Sequence, residues 1–173
     1  MNGHYGIETS QANTLIGGTT VSARNVVSGN GYSGIVLWKS TANLAVVQNN
    51  YVGTDVTGTK DLGNYWRGID VSNGASNARI ESNLVSGNDM DGIMLYQGSS
   101  NLIKNNIIGF NATKTAALKN FANGIRFTSV TSATATGNYI GNNDGYALFR
   151  TGGGTITLSG NTIKNNEIFN LTV

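Results

Sequence analysis

Four residues bring together the acid, base and cationic groups that this sequence offers. Asp70 and Asp91 are carboxylates, and Arg67 and Arg126 are guanidinium groups close to them in the folding pattern derived below. Two carboxyl groups about 6.5 to 9.5 Å apart suit inverting hydrolysis of a glycosidic bond, and an arginine beside them can act on a uronic acid. Strand geometry puts the two Asp residues roughly 10 Å apart. The same four residues equally fit ordinary charge pairs on a solvated surface.

A second group is aromatic and apolar: Trp38, Tyr96 and Phe149, with Val36 and Met94. A ring face is an apolar platform for a sugar ring. An exposed apolar face also marks contact with another protomer or an adjoining domain. Asp55 and Asp61 bracket Val56-Thr57-Gly58-Thr59-Lys60, which fits a calcium loop weakly and a turn closed by Asp55 better. No metal and no cofactor is expected.

What positions these residues is a repeat. A Gly-Ile pair opens an alternating strand at Gly6-Ile7-Glu8-Thr9, Gly34-Ile35-Val36-Leu37, Gly68-Ile69-Asp70-Val71, Gly92-Ile93-Met94-Leu95 and Gly124-Ile125-Arg126-Phe127, with a degenerate copy at Gly145-Tyr146-Ala147-Leu148. A second phrase follows each copy, an Asn two residues before Val or Ile: Asn25, Asn50, Asn83, Asn106, Asn138 and Asn161. These Asn residues are 25, 33, 23, 32 and 23 positions apart, so short and long coils alternate. Between the two phrases lies a third apolar strand. Three short strands per repeat of 20-odd residues, bounded by Gly, Asn and Ser, make a parallel solenoid. Helices are excluded by period-2 alternation and by the density of Asn and Gly.

The fold expected is therefore all-β: a single-stranded right-handed parallel β-helix of about six coils and three parallel sheets, one domain over residues 1–173. The Ile of each pair points inward, and the Asn column forms an interior ladder. The Gly before each Ile is expected to supply backbone freedom at a bend. Period 2 then gives two outward columns on the first sheet. One is Glu8, Val36, Asp70, Met94, Arg126, Ala147; the other is Ser10, Trp38, Ser72, Tyr96, Thr128, Phe149. Large aromatics fall on alternate coils, about 9.6 Å apart. Two long excursions, 53 to 66 and 109 to 122, either wall this face or cover the apolar column Tyr51, Leu84, Ile107, Tyr139; covering is preferred. Glu81 and Lys104 are expected to pair across adjacent coils.

Composition narrows the partners. The chain has 24 Gly and 25 Asn, no Pro, no Cys, 12% charged residues and a formal charge of +2. Scattered charge of that size gives no basic stripe, so no nucleic-acid partner is expected. Without Cys there is no disulfide or thiolate metal site. No run of 18 apolar residues occurs, so no membrane insertion is expected, and Met1-Asn2-Gly3-His4 does not open a signal peptide. The expectation is a module whose parent protein is extracellular or on the cell surface. The segment 165 to 173 is expected to close one end or to pair with a second chain as a homodimer.

Leu15-Ile16-Gly17-Gly18-Thr19-Thr20 through Ala23-Arg24-Asn25-Val26-Val27-Ser28-Gly29-Asn30, and Asn50-Tyr51-Val52-Gly53-Thr54-Asp55 with Thr57-Gly58-Thr59 and Leu62-Gly63-Asn64, resemble the β-helix repeats of bacterial surface and secreted proteins. These belong with the pectate-lyase-like superfamily, and the resemblance covers nearly the whole chain. It implies the fold and leaves activity open, because the superfamily includes lyases, hydrolases, epimerases, adhesins, tailspikes and spacers. The chain departs from the enzymes: it has no Asp-Asp pair or Gly-His-Gly segment, its single His4 lies at the start, and no compact acidic cluster accompanies an Arg or Lys base. The reading preferred on sequence is a noncatalytic module that binds polysaccharide or protein through Trp38, Tyr96 and Phe149. A polysaccharide-active enzyme using Asp70, Asp91 and Arg67 or Arg126 is the rival, and a structural or engineered solenoid the third possibility.

Overall fold

The computed structural model describes residues 3–166. Its strands form three six-stranded parallel sheets, each taking one strand from every coil in chain order. A chain that returns to the same sheet in parallel winds right-handed, and the molecule is a right-handed parallel β-helix of six coils. The single helical element among the described residues is a 3-10 turn at Val21–Ala23.

Hydrophobic alternation sets the register. In the first sheet Ile7, Ile35, Ile69, Ile93, Ile125 and Leu148 stand one above another. Ile35, Ile69, Ile93 and Ile125 have no exposed surface, and burial of each side chain contributes about 1.5 to 3 kcal/mol. The third sheet stacks Val27, Val52, Val85, Ile108, Ile140 and Ile163 in the same way. One coil alone has no means of hiding these faces.

The Asn ladder runs the length of the rod. Asn25, Asn50, Asn83, Asn106 and Asn138 each donate their backbone N–H and their Nδ2 to Oδ1 of the next, ending on Asn161, at 2.9 to 3.2 Å. Directly before five of these positions the backbone is left-handed, at Asn49, Ser82, Asn105, Gly137 and Gly160. Asn and Gly tolerate that conformation best, so the bend itself accounts for part of the composition.

A second ladder was not read from the sequence. Asn30, Asn64, Asn88, Asn120, Asn143 and Asn166 repeat the same Nδ2-to-Oδ1 bonding, at 2.7 to 2.9 Å. The two ladders are 5 residues apart on the short coils and 14 apart on the two long ones. Both excursions therefore enter at one corner, between two fixed rungs.

The Gly before each Ile corrects an expectation. Gly34, Gly68, Gly92 and Gly124 need no left-handed backbone; they need space. A Cβ on Gly68 would meet Val85 Cγ1, the carbonyl oxygen of Gly92 at 2.7 Å and Asn88 Nδ2 at 2.8 Å. The expected Glu81–Lys104 pair is also replaced. Glu81 is held by Arg79 on its own strand, through bonds of 3.0 and 2.9 Å, because residues two apart on a strand share a face.

Both excursions fold over the third sheet. A Cβ on Gly58 would strike Leu84 and Tyr51, and Ala112 of the second excursion donates its N–H to the carbonyl of Gly58 at 2.9 Å. Leu84 is left 2% exposed, and Phe110 packs on Tyr139 with ring centroids 4.8 Å apart. Most of the long C-terminal segment expected to close or pair an end, residues 167–173, lies outside the described residues.

Candidate functional site

The groove on the first sheet exists because coil three is low there. Its outward residues, Asp70 and Ser72, are small, whereas coil two carries Trp38 in register with Ser72 and coil four carries Met94 in register with Asp70. Tyr96 follows Met94 by two positions on the same face. The resulting volume is about 450 Å³, lined also by Asn73, Arg126 and Thr128. Tyr5, Trp66 and Arg67, from the corner that leads into the sheet, close its head. Tyr5 stacks obliquely on Tyr32 at 5.5 Å, and Tyr32 meets the edge of Trp66 at 6.0 Å.

Charge is concentrated at that head. The Arg67 Nη1 donates to Asp70 Oδ2 at 2.7 Å, and Ser72 donates its hydroxyl to Asp70 Oδ1. Arg67 Nε lies 3.8 Å and Arg126 Nη1 3.9 Å from Asp91 Oδ2. Asp91 Oδ1 accepts the backbone N–H and Nδ2 of Asn123 at 3.2 and 2.7 Å. Its side chain is fully buried, and that of Asp70 is 6% exposed. One guanidinium thus touches both carboxylates. Arg126 also donates Nε to Thr128 and lies 5.5 Å from the centre of the Phe149 ring.

The Tyr5 hydroxyl has its pKa raised, first by burial and then by the carboxylates of Asp70 and Glu8, with Arg67 only partly opposing them. The field at the head of the groove is therefore not that of a basic patch.

Three of the four charged candidates, Arg67, Asp70 and Arg126, and two of the aromatic ones, Trp38 and Tyr96, thus line one groove, with Asp91 buried behind the two arginines. Phe149 does not join the Trp38 and Tyr96 column. It pairs in register with Arg126, and Thr151 takes the place beside Thr128. The last coil is shifted by two residues because Ala147, not Gly145, occupies the corner position that glycine fills in earlier coils. Val36 and Met94 are 1% and 4% exposed, so neither presents an open apolar surface. Sequence reasoning missed Tyr5, Tyr32, Trp66 and Asn123. Their signal is position: Tyr5 and Asn123, like Arg67 and Asp91, stand immediately before a corner glycine, and Tyr32 and Trp66 stand two residues before one.

Asp55 closes a turn. Its carboxylate accepts the Thr57 hydroxyl at 2.7 Å and the N–H groups of Thr59 and Lys60 at 2.9 and 3.0 Å. In the second excursion Asn111 Oδ1 accepts the N–H groups of Thr115 and Ala116 in the same way. The Thr57 hydroxyl first, then these N–H groups, hold the Asp55 pKa at about 2, below the ordinary 3.8. Because the folded value is depressed, the support that Asp55 lends its loop is complete above the unfolded value and is lost as pH falls through about 2. Protection of the Thr59 and Lys60 amides, measured by NMR as exchange relative to the intrinsic rate at each pH, is expected to fall over that interval in the wild type and to stay flat in Asp55→Asn. Equal loss in both proteins would contradict the assignment. Among the described residues no group of three or more His, Cys, Asp or Glu is placed to hold a metal ion.

No helix among the described residues is long and apolar enough to cross a membrane. A family model described as a right handed beta helix region matches residues 47–172. No curated protein and no solved structure matches the chain.

Proposed function

The chain belongs to the right-handed β-helix family, and from that premise we propose that it is a noncatalytic module of a surface or secreted protein that binds polysaccharide in the groove of the first sheet. The observation that carries this reading is the low third coil. It leaves a polar floor between the aromatic side chains of Trp38 and Tyr96, with Asn73 partly exposed and Ser72 buried at its base. Sugars combine apolar ring faces with hydroxyl rims, and a site with aromatic walls and a hydrogen-bonding floor matches both. A protein partner is favoured by a continuous apolar face. Val36 and Met94, which would have formed one, are almost wholly buried.

Trp38→Ala is expected to weaken binding to a responsive polysaccharide at least tenfold in titration calorimetry, about 1.4 kcal/mol, with the circular dichroism spectrum unchanged. The panel spans neutral and uronate-containing chains, and light scattering reports the mass of each protein. Unchanged glycan affinity together with a lost dimer would sink the sugar reading and favour a protein contact.

A second reading, a polysaccharide-active enzyme, draws on the clustering of Asp70, Asp91, Arg67 and Arg126. Against it, both Asp70 oxygens are already bonded, to Arg67 and Ser72, and Asp91 is buried behind the guanidinium groups. A general acid or base has to reach its substrate. Release of oligosaccharide products by the same protein, abolished in a folded Asp70→Asn variant, would establish this second reading instead.

A further inference from the structure

The inference that follows rests on the polysaccharide reading of the groove and concerns the class of chain it accepts. Two arginines at a sugar site ordinarily favour an acidic ligand, since a guanidinium pairs with a carboxylate as a two-pronged fork. Here the charge is already answered from inside the protein. Arg67 is bonded to Asp70 at 2.7 Å and faces Asp91 at 3.8 Å, while Arg126 faces the same Asp91 oxygen at 3.9 Å.

Neither carboxylate is able to turn away into water and release its arginine. Asp91 is fully buried and tied by Asn123, and Asp70 is held from its other oxygen by Ser72. Two positive and two negative groups therefore form a closed set. Two buried atoms of this set make no hydrogen bond, Asp91 Oδ2 and Arg67 Nε, and they face each other at 3.8 Å, so the ion pair is closed on itself. Glu8 on the first coil adds another negative charge near the Tyr5 end of the groove, where it joins Asp70 in raising the tyrosine.

We propose that the groove takes a neutral, hydroxyl-rich polysaccharide and excludes uronate-bearing or sulfated chains, with Asp70 and Asp91 as the residues that set this preference by neutralising Arg67 and Arg126 in place. Hydroxyl groups then meet the outward N–H groups of the guanidiniums and the polar side chains of Ser72, Asn73 and Thr128. An acid group in the same place meets guanidiniums whose charge two fixed carboxylates already answer.

The experiment is affinity electrophoresis at low ionic strength against neutral glucans, mannans and xylans on one side and polygalacturonate and alginate on the other. Wild-type protein is expected to be retarded by at least one neutral polymer and not by the polyuronates. Asp70→Asn and Asp91→Asn keep the side-chain shape and remove one negative charge each, and either is expected to gain at least tenfold in polyuronate affinity. Wild-type binding to a polyuronate tenfold tighter than to every neutral polymer would overturn the proposal. So would folded Asn variants that gain nothing. Should both variants fail to fold, the wild-type panel alone still decides. If no polymer of either kind is bound, and Trp38→Ala changes nothing, the polysaccharide reading itself falls and this inference with it.

Discussion

Asn83→Ala is expected to lower the free energy of unfolding by about 3 to 5 kcal/mol, measured by urea denaturation. The wild-type side chain makes four hydrogen bonds. Its Oδ1 accepts Asn50 N–H and Nδ2 at 2.9 and 3.1 Å, and its Nδ2 donates to Val47 O and Asn106 Oδ1 at 2.9 and 3.0 Å. Alanine removes all four and leaves the partners stranded in a region where Asn50 and Val47 have no exposed surface. Each buried polar group left unsatisfied costs about 1 to 3 kcal/mol, and the figure above takes only part of that for each. Asn161→Ala is the comparison. That residue ends the ladder and is only half-buried, so water replaces its partners and the loss is expected to be about 1 kcal/mol. Equal losses at the two positions would show that burial does not set the strength of the ladder.

Gly68→Ala is expected to be at least as damaging, about 3 kcal/mol or more, through overpacking. The added methyl has nowhere to go. The carbonyl of Gly92 that it would meet is fixed by the Ile69 N–H at 2.9 Å, and Asn88 belongs to the second ladder. Displacing this corner also moves the neighbouring Arg67, so groove binding should fall along with stability. Gly153→Ala supplies the contrast: a Cβ there meets nothing within 4 Å, and surface changes of that kind stay within about 0.5 kcal/mol. Thermal unfolding of the two variants side by side checks both claims. A Gly68→Ala protein as stable as Gly153→Ala would mean that the corner yields, and that space does not explain the glycine.

The architecture was legible because a solenoid writes its pattern many times. Ile7, Ile35, Ile69, Ile93 and Ile125 repeat one environment, and so do the six Asn residues of the first ladder, so a misreading in one coil is corrected by its neighbours. The last coil lacked that correction. Earlier corner glycines are confined by the carbonyl of the next coil, as Gly124 is by the carbonyl of Ala147. Ala147 stands at the corner where glycine was sought, and Phe149 was placed two residues out of step. The second ladder was hidden by arithmetic. Its distance from the first changes with each inserted loop, so no fixed spacing reveals it.

The candidate site was legible only in part. Asp70, Arg126, Trp38 and Tyr96 follow from strand alternation. Arg67 lines the groove from a corner and Asp91 is buried behind it, at positions where period 2 gives no direction. Tyr5 and Trp66 close the head from turns whose side-chain placement depends on tertiary packing. That Asp91 is buried while Arg126 is not is a property of the stack, absent from any one coil.

The two Asn columns also give the rod an electrical direction. In every rung the amide oxygen accepts from the preceding rung and one amide hydrogen reaches the following one, while in most rungs the other hydrogen is held by a backbone carbonyl of the preceding coil. Aligned amide dipoles add along an axis, as they do in a helix, while strand hydrogen bonds run both ways between neighbouring coils and largely cancel. A rung laid in reverse would set oxygen against oxygen and N–H against N–H, so each coil is accepted by its neighbour in one orientation.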